Sequence, residues 1–131
     1  MKREVVITAD GSSTIHLPEW DEQYHSKHGA IQEAYHVFIN HGLHYFCYSQ
    51  QDEATSKNIS ILEIGFGTGL NAFITFLEAE KLNIAIDYFG VEGYPVLQNE
   101  IDQLNYPLEL KAAQNAVSFK KMHDISWEDK H

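Results

Sequence analysis

The residues Glu63-Ile-Gly65-Phe-Gly67-Thr-Gly69 stand between an apolar run, Ile59 to Ile64, and a segment where Leu70, Phe73, Ile74 and Leu77 repeat at helical spacing. In that setting glycines let the chain turn tightly and let a ligand reach the backbone without a Cβ in the way. A helix starting near Gly69 is expected to present free N–H groups at a positive dipole end, which suits an anionic group. Glu92 closes the next expected strand, roughly twenty residues on, where a carboxylate can take both hydroxyls of a ribose. The pair, loop and acid, carries more information than glycines alone.

Two cofactor chemistries use this arrangement. A dinucleotide loop is G-x-G-x-x-G, its glycines holding a pyrophosphate. Here the spacing is G-x-G-x-G with Glu63 before it, an acid that would repel phosphate and attract an ammonium group. That pattern is similar to motif I of class I S-adenosylmethionine-dependent methyltransferases. A dinucleotide-linked oxidoreductase and a merely structural βα turn remain as alternatives.

The longer run Gly65-Phe-Gly-Thr-Gly-Leu-Asn71 resembles the methyltransferase domain of the tRNA 5-methylaminomethyl-2-thiouridine biosynthesis family, the MnmC-like proteins. Asp21-Glu-Gln-Tyr24-His-Ser26 resembles the family's upstream aspartate–tyrosine–serine block. Glu33 with Val37-Phe38-Ile39 resembles the following helix, and Glu92-Gly-Tyr94-Pro95 the acid–x–tyrosine–proline block. The resemblance implies a Rossmann-like fold and methyl transfer from S-adenosylmethionine to the amine of 5-aminomethyl-2-thiouridine at the wobble position of tRNA. It implies that Gly65, Gly67 and Gly69 line the cofactor, that Glu63 and Asn71 lie toward its methionine end, and that Glu92 binds the ribose. Tyr24 and Ser26 would form a wall over it, and Asp124 would meet the adenine amino group. The family continues with a further strand bearing an aspartate–alanine–phenylalanine block near the transferred methyl. This chain ends at His131, so by resemblance it looks like the front half of such an enzyme, with the catalytic residues expected beyond it. A catalytically inactive cofactor-binding or swapped fragment is the alternative.

The elements that must position these residues follow from pattern. Glu4 to Ala9 is β-rich, Asp10-Gly11 signals a type I′ turn, and Thr14 to Leu17 can pair back before Pro18, giving an N-terminal hairpin. Ile31, Ala34, Tyr35 and Phe38 form an amphipathic helical stripe from Gly29 to His41, with Gly42 as its expected C′ residue. Gln50 to Asn58 is polar and reads as a connection. Strands are expected at 59–64, 84–91 and 116–119, and a helix from Pro95 that Asn105-Tyr106-Pro107 ends. The expectation is α/β, with about three parallel strands and an N-terminal hairpin and helix. A lead-in over 1–58 precedes the first half of a cofactor-binding domain over 59–131. An open sheet edge left by three strands invites self-association.

Composition sets the remaining bounds. The chain has 131 residues, 44% hydrophobic and 21% charged, which fits one globular domain rather than disorder or coiled coil. One cysteine and no apolar leader suit a cytoplasmic protein, and Glu63 with three glycines argues against a membrane span at 59–77. Net charge is −10, with Arg3 the sole arginine. This does not suit an unaided grip on tRNA, because a phosphate backbone is held by clustered cations. His41-x-x-His44-x-x-Cys47 has donor spacing for a metal, but surface histidines and a small core cysteine are the plainer reading, so no metal is expected. Tyr45, Phe46 and Tyr48 are expected to pack in the core rather than stack on a base. Lys120-Lys121 reads as a solvated edge.

Overall fold

The computed structural model describes residues 2–49 and 58–127. Most of the connection expected at 50–58 and the chain end at His131 lie outside the described residues. Among those described, no helix is long and apolar enough to cross a membrane.

The N-terminal hairpin forms from β1 (Glu4–Ile7) and β2 (Ser13–Leu17), with Glu4 opposite His16 and Ile7 opposite Ser13. A two-residue strand, β3 (Glu22–Gln23), adds to the other edge of β2. The turn is not type I′. Thr8 N–H donates to the Ser12 carbonyl, Gly11 N–H donates to the Thr8 carbonyl, and in this turn only Gly11 has positive φ, 89°. This is a three-residue loop closed by a left-handed glycine, and it leaves the Asp10 side chain free to turn inward.

One continuous helical rod follows: α1 (Ala30–Ala34), a π-helical stretch (Tyr35–His44) and α2 (Tyr45–Ser49). Gly42 lies inside the rod rather than ending it. The buried positions Ala30, Ala34, Ile39 and Leu43 step by four, five and four residues, the wider spacing of an i→i+5 turn. That winding moves the buried stripe away from Tyr35 and Phe38, which are only half-buried. In α2, Cys47 turns toward the core while Tyr45, Phe46 and Tyr48 are exposed, contrary to the core packing expected of them. The rod's inner face there is used by Leu43 and Cys47, and the three aromatics fall outside it.

A parallel βαβ unit carries the glycine-rich loop. β4 (Asn58–Ile64) pairs with β5 (Ala85–Val91), Ile59 opposite Ile86 and Ile64 opposite Val91, with α3 (Leu70–Leu82) between them. Leu70, Phe73 and Ile74 anchor α3 in the core, and Asn83 ends it in the left-handed conformation. On the strands, Leu62, Ile64, Phe89 and Val91 alternate with the core-facing positions and are exposed.

The remaining expectations need correction. Two parallel strands form among the described residues, not three. Ala116–Asp124 is a helix, α6, because Phe119, Met122 and His123 repeat at helical rather than alternating spacing. Phe119 is buried edge-on against Phe73 at 5.2 Å and Tyr106 at 5.8 Å between ring centroids. Pro95 lies in a loop before a short α4 (Gln98–Ile101), and Tyr106-Pro107 opens α5 (Tyr106–Glu109) instead of ending a helix. Pro107 suits that first turn, where its missing N–H is no loss.

The hairpin and the rod are joined by a cap that spans the sequence. Thr8 Oγ1 accepts from Ala30 N–H at 3.1 Å, Ser12 Oγ from Ile31 N–H at 3.1 Å, and Asp10 Oδ2 from Gln32 N–H at 3.0 Å. Three otherwise orphaned donors of the helix start are thus met by side chains of one turn. Asp10 Oδ1 also accepts from Ser12 N–H at 3.0 Å and from the Ser12 hydroxyl, and Thr8 Oγ1 lies 3.0 Å away. Desolvation raises the Asp10 pKa, but the bonds from Ser12, Gln32 and Thr8 outweigh it and hold it below 3.8. A depressed carboxylate stabilises the fold above its unfolded pKa and loses that contribution as pH falls through the folded value. Asp10→Ala is therefore expected to lower stability by about 1–3 kcal/mol in urea denaturation at neutral pH. The gap to the parent should close as pH drops below 3.8; a gap unchanged in acid would exclude the ionised cap.

Candidate functional site

The loop after β4 is folded back on β5. Gly65 and Phe66 N–H groups both donate to the Val91 carbonyl, at 2.7 and 3.0 Å, and Gly69 N–H donates to the Phe66 carbonyl at 3.1 Å. Gly67 N–H donates to Glu92 Oε1 at 2.7 Å. Gly67 has φ of 58°, and a Cβ there would sit 3.3 Å from the Tyr24 ring, so backbone and space both call for glycine. These four amides are satisfied within the protein. The phosphate-binding N–H groups expected of the loop are, at these positions, already committed.

Glu92 is held at both oxygens by backbone, since Oε2 accepts from Tyr94 N–H at 3.1 Å. Each carboxylate oxygen keeps further acceptor capacity for a hydroxyl. Glu63 is buried, accepting from Asn71 Nδ2 and from the Tyr88 hydroxyl, each at 2.8 Å. Desolvation raises its pKa above 4.5, the two hydrogen bonds pull it down, and the nearby Glu92 charge pushes it up again. Burial and the Glu63 charge together push the Tyr88 phenol far above its ordinary value, so it stays a donor.

These groups open onto a cavity of about 530 Å³ between the βαβ unit and the hairpin–helix layer. Glu63, Gly65, Gly67, Asn71 and Glu92 line one side, and Tyr24 with His25, Glu33 and Phe38 line the other. Of the nine residues named from sequence, six meet at this cavity: Tyr24, Glu63, Gly65, Gly67, Asn71 and Glu92. Three do not line it. Gly69 starts α3 behind the loop, its Cα side covered by His123. The Ser26 hydroxyl accepts from His28 N–H at 3.1 Å. Asp124 ends α6 and is exposed, because the strand expected to precede it is a helix.

His25 and Glu33 belong to the cavity wall, where sequence assigned them no role. His25 Nδ1 lies 2.8 Å from Thr14 Oγ1, and burial lowers its pKa against the opposing pull of Glu33, so the ring is neutral at pH 7. Glu33 Oε1 accepts from Ser26 N–H at 3.0 Å, which brings the Tyr24–Ser26 segment against the rod. The signal for His25 was its proximity to Tyr24 in the chain, and for Glu33 its place in the block that resembles the family's following helix. Behind the loop, the Tyr106 hydroxyl donates to Thr68 Oγ1 at 3.0 Å and His123 Nε2 donates to the Thr68 carbonyl at 3.1 Å. Burial lowers the His123 pKa more than that carbonyl raises it.

The cavity therefore holds three carboxylates, Glu33, Glu63 and Glu92, and no lysine or arginine among its lining residues. The two histidines of the donor-spaced segment lie elsewhere: His44 Nε2 bonds Glu78 Oε2 at 3.0 Å, and His41 meets the edge of His36. No group of three His, Cys, Asp or Glu side chains is placed to hold a metal among the described residues.

Fold and loop together define a mixed α/β protein built on one parallel βαβ unit, with a glycine-rich turn pinned by the acid that follows its second strand. Comparison with known proteins finds relatives of this chain. The chain is 31% identical over 103 residues to the tRNA 5-methylaminomethyl-2-thiouridine biosynthesis bifunctional protein MnmC of Legionella pneumophila (strain Corby), covering 73% of this chain and 15% of that protein. It is 31% identical over 106 residues to the MnmC of Campylobacter fetus, covering 80% of this chain and 16% of that protein. The crystal structure of MNMC2 from Aquifex aeolicus superposes with a TM-score of 0.60 at 28% identity, over 74% of this chain and 31% of that one. No family model matches. The chain is homologous to one part of the MnmC proteins and spans about 15% of the length of these curated relatives.

The Glu63 geometry gives a test. A carboxylate whose folded pKa is raised binds its proton more tightly in the folded state, so its contribution falls as pH rises from 4.5 through the folded value. Tyr88→Phe removes a donor that favours the charged form. Glu63 is expected to titrate at higher pH in Tyr88→Phe than in the parent, read from its carboxyl carbon by NMR. An unmoved midpoint would mean that the phenol does not stabilise the carboxylate.

Proposed function

We propose that the chain has a Rossmann-like methyltransferase architecture and that its cavity binds S-adenosylmethionine for transfer to the amine of 5-aminomethyl-2-thiouridine in tRNA. The observation that carries this reading is the charge of the cavity: three carboxylates face it, while the Gly65, Phe66, Gly67 and Gly69 amides are committed to protein acceptors. That environment suits a sulfonium and an ammonium group and opposes a pyrophosphate, which disfavours a dinucleotide. Glu92, aimed by two backbone N–H groups, would accept from the ribose hydroxyls. Glu63 and Asn71 would hold the amino-acid end, and Tyr24 would cover the cofactor from the hairpin side. The homology to MnmC proteins, named for tRNA 5-methylaminomethyl-2-thiouridine biosynthesis, supports the tRNA substrate.

When bound, S-adenosylmethionine supplies a methyl group on a sulfonium that is its own leaving group. The chain's residues then have to align a neutral amine with that methyl and keep water out. A net charge of −10 works against holding tRNA, so binding by this chain is expected to be weak and to weaken further with salt in a filter-binding series. Tight binding at physiological salt would contradict that.

Calorimetry with S-adenosylhomocysteine tests the cofactor assignment. Glu92→Ala should cost about 1–3 kcal/mol, roughly 5- to 150-fold in affinity, because two hydroxyls lose their acceptor. Unchanged affinity would place the ribose elsewhere, and preferential binding of NADH would favour the dinucleotide alternative. Labelled-methyl transfer to tRNA lacking the final methyl separates a working transferase from a fragment that only binds cofactor.

A further inference from the structure

The sole arginine of the sequence is not at the surface. Arg3 precedes β1, and its side chain is 13% exposed and that of its partner Glu100 9%. Nε donates to Glu100 Oε2 at 2.9 Å and Nη2 lies 2.8 Å from Glu100 Oε1, a two-pronged ion pair. The remaining donors reach backbone: Nη1 to the Tyr94 carbonyl at 2.9 Å and Nη2 to the Pro95 carbonyl at 3.3 Å. Glu100 Oε1 accepts in addition from Leu97 N–H at 2.7 Å. One guanidinium and one carboxylate therefore grip the whole segment from Tyr94 to Leu97.

That segment bears on the cavity through Glu92. Tyr94 offers its carbonyl to Arg3 and its N–H to Glu92 Oε2, while Glu92 Oε1 takes the Gly67 amide. Burial lowers the Arg3 pKa, but the Tyr24 hydroxyl and Glu100 more than offset it and keep the group charged. Tyr24, whose phenol contributes to that upward shift, is the residue that covers Gly67 from the opposite wall. Only the planar fork of arginine can serve a carboxylate and two carbonyls together.

We propose that Arg3 is a positioning residue for the nucleoside end of the cavity: through the Tyr94 peptide it fixes the Glu92 carboxylate against the glycine loop. The role in ligand binding rests on the cofactor reading above; the mechanical role does not. Amide hydrogen exchange by NMR on the ligand-free protein separates the two. In Arg3→Met, the Gly67 and Tyr94 amides should exchange at least about tenfold faster, while Phe73 and Ile74 in α3 keep the parent rate. Arg3→Lys should behave like Arg3→Met, because three donors on one nitrogen cannot span the four oxygens that the guanidinium reaches. If Arg3→Met folds poorly, Glu100→Gln supplies the same test with a smaller change at the same two amides. Unchanged Gly67 and Tyr94 exchange, or uniform acceleration that includes α3, would overturn the proposal.

The ligand arm uses S-adenosylhomocysteine. Affinity should fall about tenfold in Arg3→Met but no further when Glu92→Gln is already present, the non-additivity of groups acting through one contact. Equal losses in both backgrounds would mean that Arg3 does not act through Glu92. If the parent itself fails to bind, the cofactor reading falls, and the exchange result alone decides the place of Arg3.

Discussion

The hydrogen bond from Gly67 N–H to Glu92 Oε1, at 2.7 Å, is the constraint around which the site is built. It closes the loop after β4 onto the end of β5, and it is charge-assisted, the stronger kind of backbone contact. Gly67 has positive φ there and little room for a Cβ beneath Tyr24. The bond also places a negative charge where glycine-rich loops elsewhere hold a phosphate. Because this loop donates to its own acid, the cavity wall offers carboxylate oxygens there rather than free amides.

Glu63 adds to that acidic lining. A second carboxylate facing the same cavity as Glu92 is strained electrostatically as well as by burial, and its raised pKa reflects both. Asn71 and Tyr88 donate to it, yet the cavity lining contains no cation. A positively charged ligand would relieve what the protein leaves unbalanced. The opposite wall is held by a different mechanism, the Thr8–Asp10–Ser12 turn capping the helical rod that carries Glu33 and Phe38. The two walls are positioned by separate polar clusters, each built from residues far apart in sequence.

The parts of the fold readable from sequence are those set by local pattern. The hairpin, the β4–α3–β5 unit and the acid after β5 each follow from period-two or helical spacing and from turn residues. The π-helical winding does not, because the stripe Ile31, Ala34, Tyr35, Phe38 fits an α-helix just as well. Packing against α3 and the sheet selects Ile39 and Leu43 instead. The short run Ala116 to Phe119 is equally ambiguous as strand or helix, and the burial of Phe119 between Phe73 and Tyr106 decides for α6.

The sequence by itself named the residues that could carry chemistry: Tyr24 through the resemblance of its block, and the glycines at 65 and 67 with the acids at 63 and 92 through their spacing. Spacing within a βαβ unit carries that information, since the loop and the acid are separated by one helix of ordinary length. Tertiary structure decided which other residues join them. Glu33 reaches the cavity from the rod, and His25 from the segment that Glu33 holds through Ser26. Asp124 is kept away by α6, and Arg3 meets the Tyr94 and Pro95 carbonyls 91 and 92 residues away in sequence. Such long-range contacts depend on the relative placement of packed layers, which no local periodicity encodes.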